Sequence, residues 1–556
     1  MRTTVSTANR PPSKPSSPLT SDQLQRLRGY GVRHDVAAGE ILYKVGDPGY
    51  DLVVIESGSA VVVREATPGS SEEIVSRGIA DGFLGEMSLL SRQTVYLTAR
   101  MEVDGVIHRV SPQSLRHLMS TDAELSDVLL TTFMARRQQL QKSAERAVEI
   151  IGHPRSAGAL ALRTYVARQQ LPSRWIDAQS TEGRKLMAVS GLADAELPAV
   201  IVPEGIIKNA TPGLLAERSG LTYRAGGDEA TDLVVVGAGP AGLAAAVYGA
   251  SEGLTTVLLD AVGPGGQAAA SSRIENYLGF PNGLSGEDLI SRANTQALKF
   301  GAHIYSPCRV TNLDHTGDEL VIHLEDGSPI IARAVIIATG AQYRTLDLER
   351  WADFEGAGIY YAATELEVRP LARRPVTVVG GANSAGQAAI YLASKGCQVE
   401  IVIRGKDISA GMSSYLVDRI DADPLIAVHT ATEVTALHGD TSLAAITLQG
   451  AESGESEAIA CEGLFCFIGA TPATGWLADI ATDDRGFILT DTQVPDEELG
   501  SPWSQLSRRP LAFETSIPRV FAVGDVRHGS MKRVAAAVGE GASAVASTHA
   551  AIGIRV

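Results

Sequence analysis

At 556 residues the chain is long enough for roughly three to four domains, each able to bury its own core. Its 48 basic residues against 64 acidic ones leave a formal charge of −16, which argues against a general binder of nucleic acid or anionic membranes. Four cysteines (Cys308, Cys397, Cys461 and Cys466) are too few and too scattered for a disulfide framework, no C-x-x-C occurs, and a reducing cytoplasm is the expected setting. Cys461 and Cys466 fall in one strand-like run, five residues apart, and are expected on opposite faces. No metal site is indicated. The uncharged stretch 233–251 is interrupted by Gly and Pro, so a membrane span is not expected there.

Residues 1–21 begin Ser/Thr/Pro-rich without an apolar run, which predicts a disordered tail and not a secretory signal. Residues 22–147 then alternate short apolar runs (Glu40 to Tyr43, Asp51 to Ile55, Ala60 to Arg64) with turns such as Gly46-Asp47-Pro48-Gly49. Helical periodicity follows, with Leu125, Val128, Leu129 and Phe133 on one face. This pattern predicts a small β-roll closed by a helix. Its Gly39-Glu40, Gly46-Asp47, Gly58 and Gly85-Glu86-Met87-Ser88-Leu89-Leu90 resemble the cyclic-nucleotide-binding family. That resemblance implies a cassette in which Glu86 holds a ribose hydroxyl and a nearby Arg pairs with the cyclic phosphate. The Arg slot falls on Val95, however, with Arg92 and Arg100 at the wrong spacing. A buried phosphate without a guanidinium loses a strong charge-assisted contact, so the fold is expected and cyclic nucleotide is not the expected ligand.

Residues 148–225 read as strand, helix, strand and a Pro-led strand, with Val148 to Ile151, Ala157 to Gln170, Arg174 to Asp177, and Leu197-Pro198 to Val202 in order. They resemble the thioredoxin/glutaredoxin fold. The family's nucleophilic Cys heads the first helix, where Ser156 stands here, and a serine cannot perform thiol–disulfide exchange. A docking or spacer role is expected, followed by a hinge at Gly226, Gly227 and Asp228.

The next segment carries the clearest chemistry. Leu233 to Val236 predicts a parallel strand buried on both faces, and Gly237-Ala238-Gly239-Pro240-Ala241-Gly242 then opens an Ala-rich helix. In G-x-G-x-x-G the first glycine allows the turn, the second lets backbone approach a pyrophosphate, and the third lets helix pack on strand. The helix N-terminus offers that phosphate unpaired N–H groups and a positive dipole end. Asp260 closes the following apolar strand, placed to accept from a ribose hydroxyl. From Asp232 onward the motif order resembles the low-molecular-weight thioredoxin reductase family. The matching residues are Gly265-Gly266-Gln267, Glu275-Asn276-Tyr277-Leu278-Gly279-Phe280-Pro281, Ala338-Thr339-Gly340, Gly524-Asp525 and Lys532-Arg533-Val534. The resemblance implies FAD, with Asn276 and the 532–534 run against the flavin and Asp525 on its ribityl chain. It also implies a homodimer.

A second unit is inserted at Gly380-Gly381-Ala382-Asn383-Ser384-Ala385, between the strands at 376–379 and 399–403. Ala382 puts a methyl where the fingerprint has its middle glycine. The second strand ends in Arg404 with Lys406 beyond and no acid, which favours NADPH over NADH. The expected architecture is multidomain α/β: a β-roll, a small thioredoxin-like domain (148–225), and two Rossmann-like three-layer nucleotide domains. FAD takes 226–345 and 476–556, and the nicotinamide takes 346–475. The family's dithiol slot reads Ala362-Ala363-Thr364-Glu365, without either cysteine. No relay through it is expected. Glu365 is either a proton-moving group facing the flavin or an ordinary exposed carboxylate. The leading expectation is an FAD-dependent NAD(P)H oxidoreductase with a β-roll regulatory domain and an unidentified acceptor, a small molecule or a redox protein. The alternatives are a low-turnover redox or ligand sensor, and the thioredoxin-disulfide reductase that the family label implies.

Overall fold

The computed structural model describes residues 19–68, 70–142, 148–224, 231–271, 274–317, 319–451 and 453–553. Residues 1–18 of the expected tail, and the expected hinge at 226–228, lie outside them. The chain forms two compact units, Met1–Ala147 and Val148–Val556.

The first unit is a six-stranded antiparallel roll. Val32–Val36, Thr98–Val110, Leu52–Arg64 and Glu73–Ile79 are hydrogen-bonded in that order, Ile41–Tyr43 joins Thr98–Val110, and Gly82–Leu84 joins Leu52–Arg64. Val53, Ile55, Ala60, Val62 and Ile107 fill its interior, and fully burying a Val or Ile side chain is worth about 1.5–3 kcal/mol. Val95 is part of that core, and its backbone exchanges hydrogen bonds with the turn at Gly46 and Asp47. Helices Pro112–Thr121 and Ala123–Lys142 follow the last strand.

The second unit holds three sheets that position the site. In the small α/β part, Val148–Gly152 pairs parallel with Ser173–Asp177 and antiparallel with Ala199–Val202, which pairs in turn with Gly205–Ile207. Ser156 N-caps helix Ala157–Arg168 by accepting from Ala159 N, and the Leu197–Pro198 bond is cis. This part packs into the same compact unit as the nucleotide domains.

The larger sheet runs His303–Tyr305, Thr256–Leu259, Thr231–Val236 and Pro329–Ile337, all parallel. Val520–Ala522 lies parallel to the C-terminal half of Pro329–Ile337, while Leu320–Leu324 and Val310–Asp314 extend the other half antiparallel. Leu233, Val235 and Ile336 face helices Pro240–Ser251 and Val534–Ile552, while Val234, Val335 and Ile337 face the opposite layer. Burial on both faces is why these strands read as unbroken apolar runs. The third sheet, also parallel, has Ile359–Tyr360, Gly463–Cys466, Pro375–Val379, Gln398–Val402 and Ile426–His429 in that order. Strands Ala341–Tyr343 and Ala470–Pro472 pair antiparallel where the chain passes between the two nucleotide domains.

The expectation for the paired cysteines is corrected. Cys461 lies before the strand and only Cys466 lies in it, so strand alternation does not relate them, and both pack in one apolar cluster with Leu464 and Val379. Among the described residues no helix is long and apolar enough to cross a membrane.

Candidate functional site: a dinucleotide cradle, a second nucleotide turn and a thiol-free slot

At the first fingerprint the structure distinguishes the three glycines. Gly237 has φ +106°, and a Cβ there would meet Ala338 O at 2.4 Å. A Cβ on Gly242 would fall 1.8 Å from Gly237 O, so helix and turn are in direct contact. Gly239, by contrast, caps helix Pro240–Ser251, and a Cβ on it would find only Gly266 Cα, 4.0 Å away. Its face is open, and Gly266 (φ +53°) stands across the gap. The missing side chain therefore clears room for a ligand, which fits a pyrophosphate.

Around this gap the other expected residues assemble. Asp260 accepts from Ala238 N at 2.8 Å through Oδ2, and from Val262 N and Gly263 N through Oδ1. Three of about four acceptor positions are thus spent on the two loops, which leaves one for a ribose hydroxyl. Gln267 Nε2 donates to Ala341 O, and Gly265 N to Ala238 O, both at 2.7 Å. Thr339 Oγ1 donates to Ala473 O at 2.9 Å, and Gly340 takes the left-handed conformation beside it. Gly524 N donates to Glu540, which is paired with Arg527 at 2.9 Å. Asp525 is half-buried without a protein hydrogen-bond donor among the described residues. Its pKa is raised, burial outweighing the pull of Lys532, while Glu540 adds to the rise. A half-buried carboxylate with no protein donor at this point fits a ligand hydroxyl. Lys532 lies over the Phe487 ring, Arg533 caps helix Val534–Ile552, and Val534 packs on the apolar cluster beneath the cradle. Asn276 is exposed.

The second turn is tighter. Gly380 (φ +138°) has Phe467 O at 2.4 Å from a would-be Cβ, and Ala382 caps helix Asn383–Ser394 in an extended conformation that its methyl tolerates. Asn383 Oδ1 accepts from Ser413 N, Ser384 occupies the first turn, and Ala385 is buried. A Cβ on Gly381 would meet Ile403 at 3.3 Å. Arg404 is exposed just past the second strand.

At the thiol-free slot Glu365 opens the short helix Glu365–Val368. Its carboxylate accepts from Lys395 Nζ and Tyr391 Oη, both 3.0 Å away on helix Asn383–Ser394 and its end, and the side chain is exposed. Lys395, then Tyr391, holds its pKa below the usual range. Thr364 caps the short helix Glu365–Val368 through a capping box with Glu367. Sequence reasoning missed the stacked rings of Tyr343 and Tyr361, 5.6 Å apart and parallel, where the chain crosses between nucleotide domains. Tyr361 Oη donates to Glu355 and accepts from Trp351 Nε1. Scattered tyrosines carry no motif, so no local signal points to this pair.

The four thiols lie elsewhere and are all buried. Burial pushes Cys308 up to about 12 and Cys461 and Cys466 up to about 11, and raises Cys397.

The roll has its own polar centre. Glu86 Oε1 accepts from Ser88 N at 2.9 Å, and Oε2 accepts from Arg137 Nε at 2.8 Å. Arg136 donates to Phe83 O and Gly85 O from the same helix. Sequence reasoning missed both arginines. Their adjacency in helix Ala123–Lys142 is the only hint.

Residues 231–541 match the family described as pyridine nucleotide-disulphide oxidoreductase, and residues 33–122 match the cyclic nucleotide-binding domain. A thioredoxin reductase of Treponema pallidum (strain Nichols) is 32% identical over 321 residues, covering 58% of this chain and 95% of that protein. One of Streptomyces clavuligerus is 32% identical over 315 residues, 56% of this chain and 91% of that protein. The crystal structure of Lactococcus lactis thioredoxin reductase in its FR conformation is 28% identical with a TM-score of 0.50, covering 58% of this chain and 99% of that one. Proteins of this thioredoxin-reductase-like group are flavin-dependent oxidoreductases that bind FAD and NADPH. The chain belongs to the pyridine nucleotide-disulphide oxidoreductase family, with a cyclic-nucleotide-binding β-roll at its N-terminal side.

Proposed function

We propose that the protein oxidises NADPH through FAD and delivers the electrons to an acceptor without a dithiol relay. The carrying observation is the slot at 362–365, which holds no sulfur, while every cysteine is buried elsewhere with a raised pKa. Bound FAD would supply the hydride-accepting and electron-transferring chemistry. The chain's own residues do the rest. Gly239 and the helix it caps would hold the pyrophosphate, Asp260 the adenosine ribose, and Asp525 a ribityl hydroxyl, with Gly266 and Gln267 beside them. Helix Asn383–Ser394 presents its N-terminus to the dinucleotide, and Arg404 meets the 2′-phosphate.

The small α/β part serves as a thioredoxin-like domain without cysteines. Its helix Ala157–Arg168 packs against helix Glu365–Val368, directly after the empty slot, and Arg155 bonds Glu462 at 2.7 Å. A domain held here restricts the approach of an external protein disulfide, which supports a small acceptor or a differently docking redox protein. A homodimer and a cytoplasmic setting complete the proposal, the β-roll acting as a regulatory domain.

The test is a panel of acceptors (quinones, oxygen, ferredoxin, flavodoxin, thioredoxin) assayed with NADPH on the purified full-length protein. Steady turnover with a non-disulfide acceptor supports the proposal, and rapid thioredoxin reduction overturns it. Flavin reduction without turnover on any acceptor favours the sensor.

A further inference from the structure

The helix Ala157–Arg168 lies outside the segment that matches the oxidoreductase family, yet its last residue reaches the cradle. Arg168 Nη1 donates to Gly263 O at 3.3 Å and Nη2 to Gly266 O at 3.5 Å. Gly263 (φ +157°) is where the loop touches the arginine stem, since a Cβ there would meet Arg168 Cβ at 3.1 Å. Gly266 is the residue that faces Gly239 across the open gap. One guanidinium thus ties both ends of the loop whose inner face forms one wall of the pyrophosphate site.

The arginine is held in place by its neighbours. Tyr165 Oη donates to Ser306 O at 3.1 Å, Gln169 Nε2 donates to Ser306 Oγ, and Gln170 Nε2 donates to Ser291 Oγ. These contacts fix the C-terminal end of the helix on the flavin domain. Its N-terminal end is anchored separately on the nicotinamide domain, where Arg155 donates to Glu462 Oε2 and Leu443 O. The Arg168 charge also reaches inward. Burial raises the pKa of Tyr343, and Arg168 offsets part of that rise while Asp525 adds to it.

We propose that Arg168 is a positioning residue of the flavin site, supplied by the appended α/β domain, which sets the 263–266 loop against Gly239 and places a positive charge beside the FAD diphosphate. This rests on the reading that FAD occupies the cradle. An arginine suits the task because its planar fork spans two carbonyls at once while its charge stays fixed. A lysine would keep the charge and lose the span.

The experiment compares full-length wild type with Arg168→Ala, Arg168→Lys, Arg168→Gln and Arg155→Ala. Each protein is stripped of flavin and titrated with FAD, the dissociation constant being read from flavin fluorescence. Thermal unfolding of each apoprotein is followed by circular dichroism. The Arg168→Ala and Arg168→Gln variants should bind FAD roughly tenfold or more weakly. Arg168→Lys should recover part of the loss, and Arg155→Ala should stay within about twofold of wild type. If Arg168→Ala is insoluble, the Lys and Gln variants carry the comparison. Wild-type affinity in Arg168→Ala or Arg168→Gln overturns the inference. So does equal weakening in Arg155→Ala, which would make docking of the whole domain the cause. A wild-type protein that binds no FAD would defeat the underlying cofactor reading instead.

Discussion

In the roll, the decisive perturbation is Arg137→Met. The Glu86–Arg137 pair leaves only 11% and 7% of the two side chains exposed, and the Ser88 N–H also donates to Glu86. Removing the guanidinium strands a buried carboxylate, which costs about 3–5 kcal/mol, whereas replacing both charged partners by neutral groups of similar size is close to neutral. The double variant Glu86→Gln/Arg137→Met should therefore be more stable than Arg137→Met alone by roughly 2 kcal/mol or more. All four tryptophans lie beyond residue 147, so tryptophan fluorescence does not report on the roll. Hydrogen exchange with mass spectrometry on the full chain does. Peptides covering Gly82–Leu84 and Ala123–Lys142 should exchange on the order of a hundredfold faster in Arg137→Met, each factor of ten corresponding to about 1.4 kcal/mol. The pH dependence has a definite sign. Burial alone would raise the Glu86 pKa, but Arg137 and Ser88 outweigh it and the net shift is downward. Its contribution is full above the unfolded value of roughly 4.3 and is lost as pH falls through the lower folded value. Protection, corrected for intrinsic exchange, should fall over that window in wild type and stay flatter in the double variant. An Arg137→Met protein that exchanges like wild type, or a double variant worse than both single ones, would refute the role given to the Glu86–Arg137 pair.

Gly239→Val puts side-chain bulk into the open gap, so the purified protein should lose most of its bound flavin absorbance while keeping its far-ultraviolet spectrum; normal flavin content would remove Gly239 from the cradle. Arg404→Ala should raise the NADPH KM about tenfold or more and leave the NADH KM unchanged, and equal effects on both would exclude a 2′-phosphate role. Cyclic AMP and cyclic GMP should show no micromolar binding by calorimetry, because Glu86 is already satisfied by Arg137 and Val95 is core. The quadruple Cys→Ser variant should keep NADPH-driven flavin reduction. A thiol with a pKa of about 11 is a thiolate only roughly once in ten thousand molecules at pH 7, so fast thioredoxin reduction by wild type alone would reveal a relay not accounted for here.

How much of this was legible in advance depended on whether the information is local. The cradle is local: strand, turn glycines and helix lie within residues 231–251, and Gly237 and Gly242 answer to contacts inside that stretch or just past the neighbouring strand, while Gly239 faces Gly266. The vacancy at 362–365 is local too, being a matter of which elements are present. Glu365 shows the boundary. Its place at a helix start was readable, but its partners are Tyr391 and Lys395, 26 and 30 residues away in sequence. The same holds for Arg137, whose partner Glu86 lies 51 residues upstream, and for Arg168, whose loop lies 95 to 98 residues downstream. Single arginines on helix surfaces are too common for pattern alone to pick out the ones that reach across.

Cradle and relay part company here because they rest on different physics. A nucleotide cradle is made of backbone: open space before Gly239, N–H groups at a helix start, and loops tied by Asp260. Such a site tolerates much side-chain change so long as the turn geometry persists. A dithiol relay is made of two sulfur atoms at fixed spacing, and nothing else can take their place, since no hydroxyl forms a mixed disulfide. On the proposed reading the cradle stands without the relay, and the face around 362–368 has no need to meet a disulfide. That face is where helix Ala157–Arg168 lies, with Leu160 joining the same apolar cluster as Ala363. The helix then does for the flavoprotein what a mobile partner could not: it bonds Gly263 and Gly266 of the flavin domain at one end, while Arg155, just before it, bonds Glu462 of the nicotinamide domain. In this chain that surface is the place where the domains are held together.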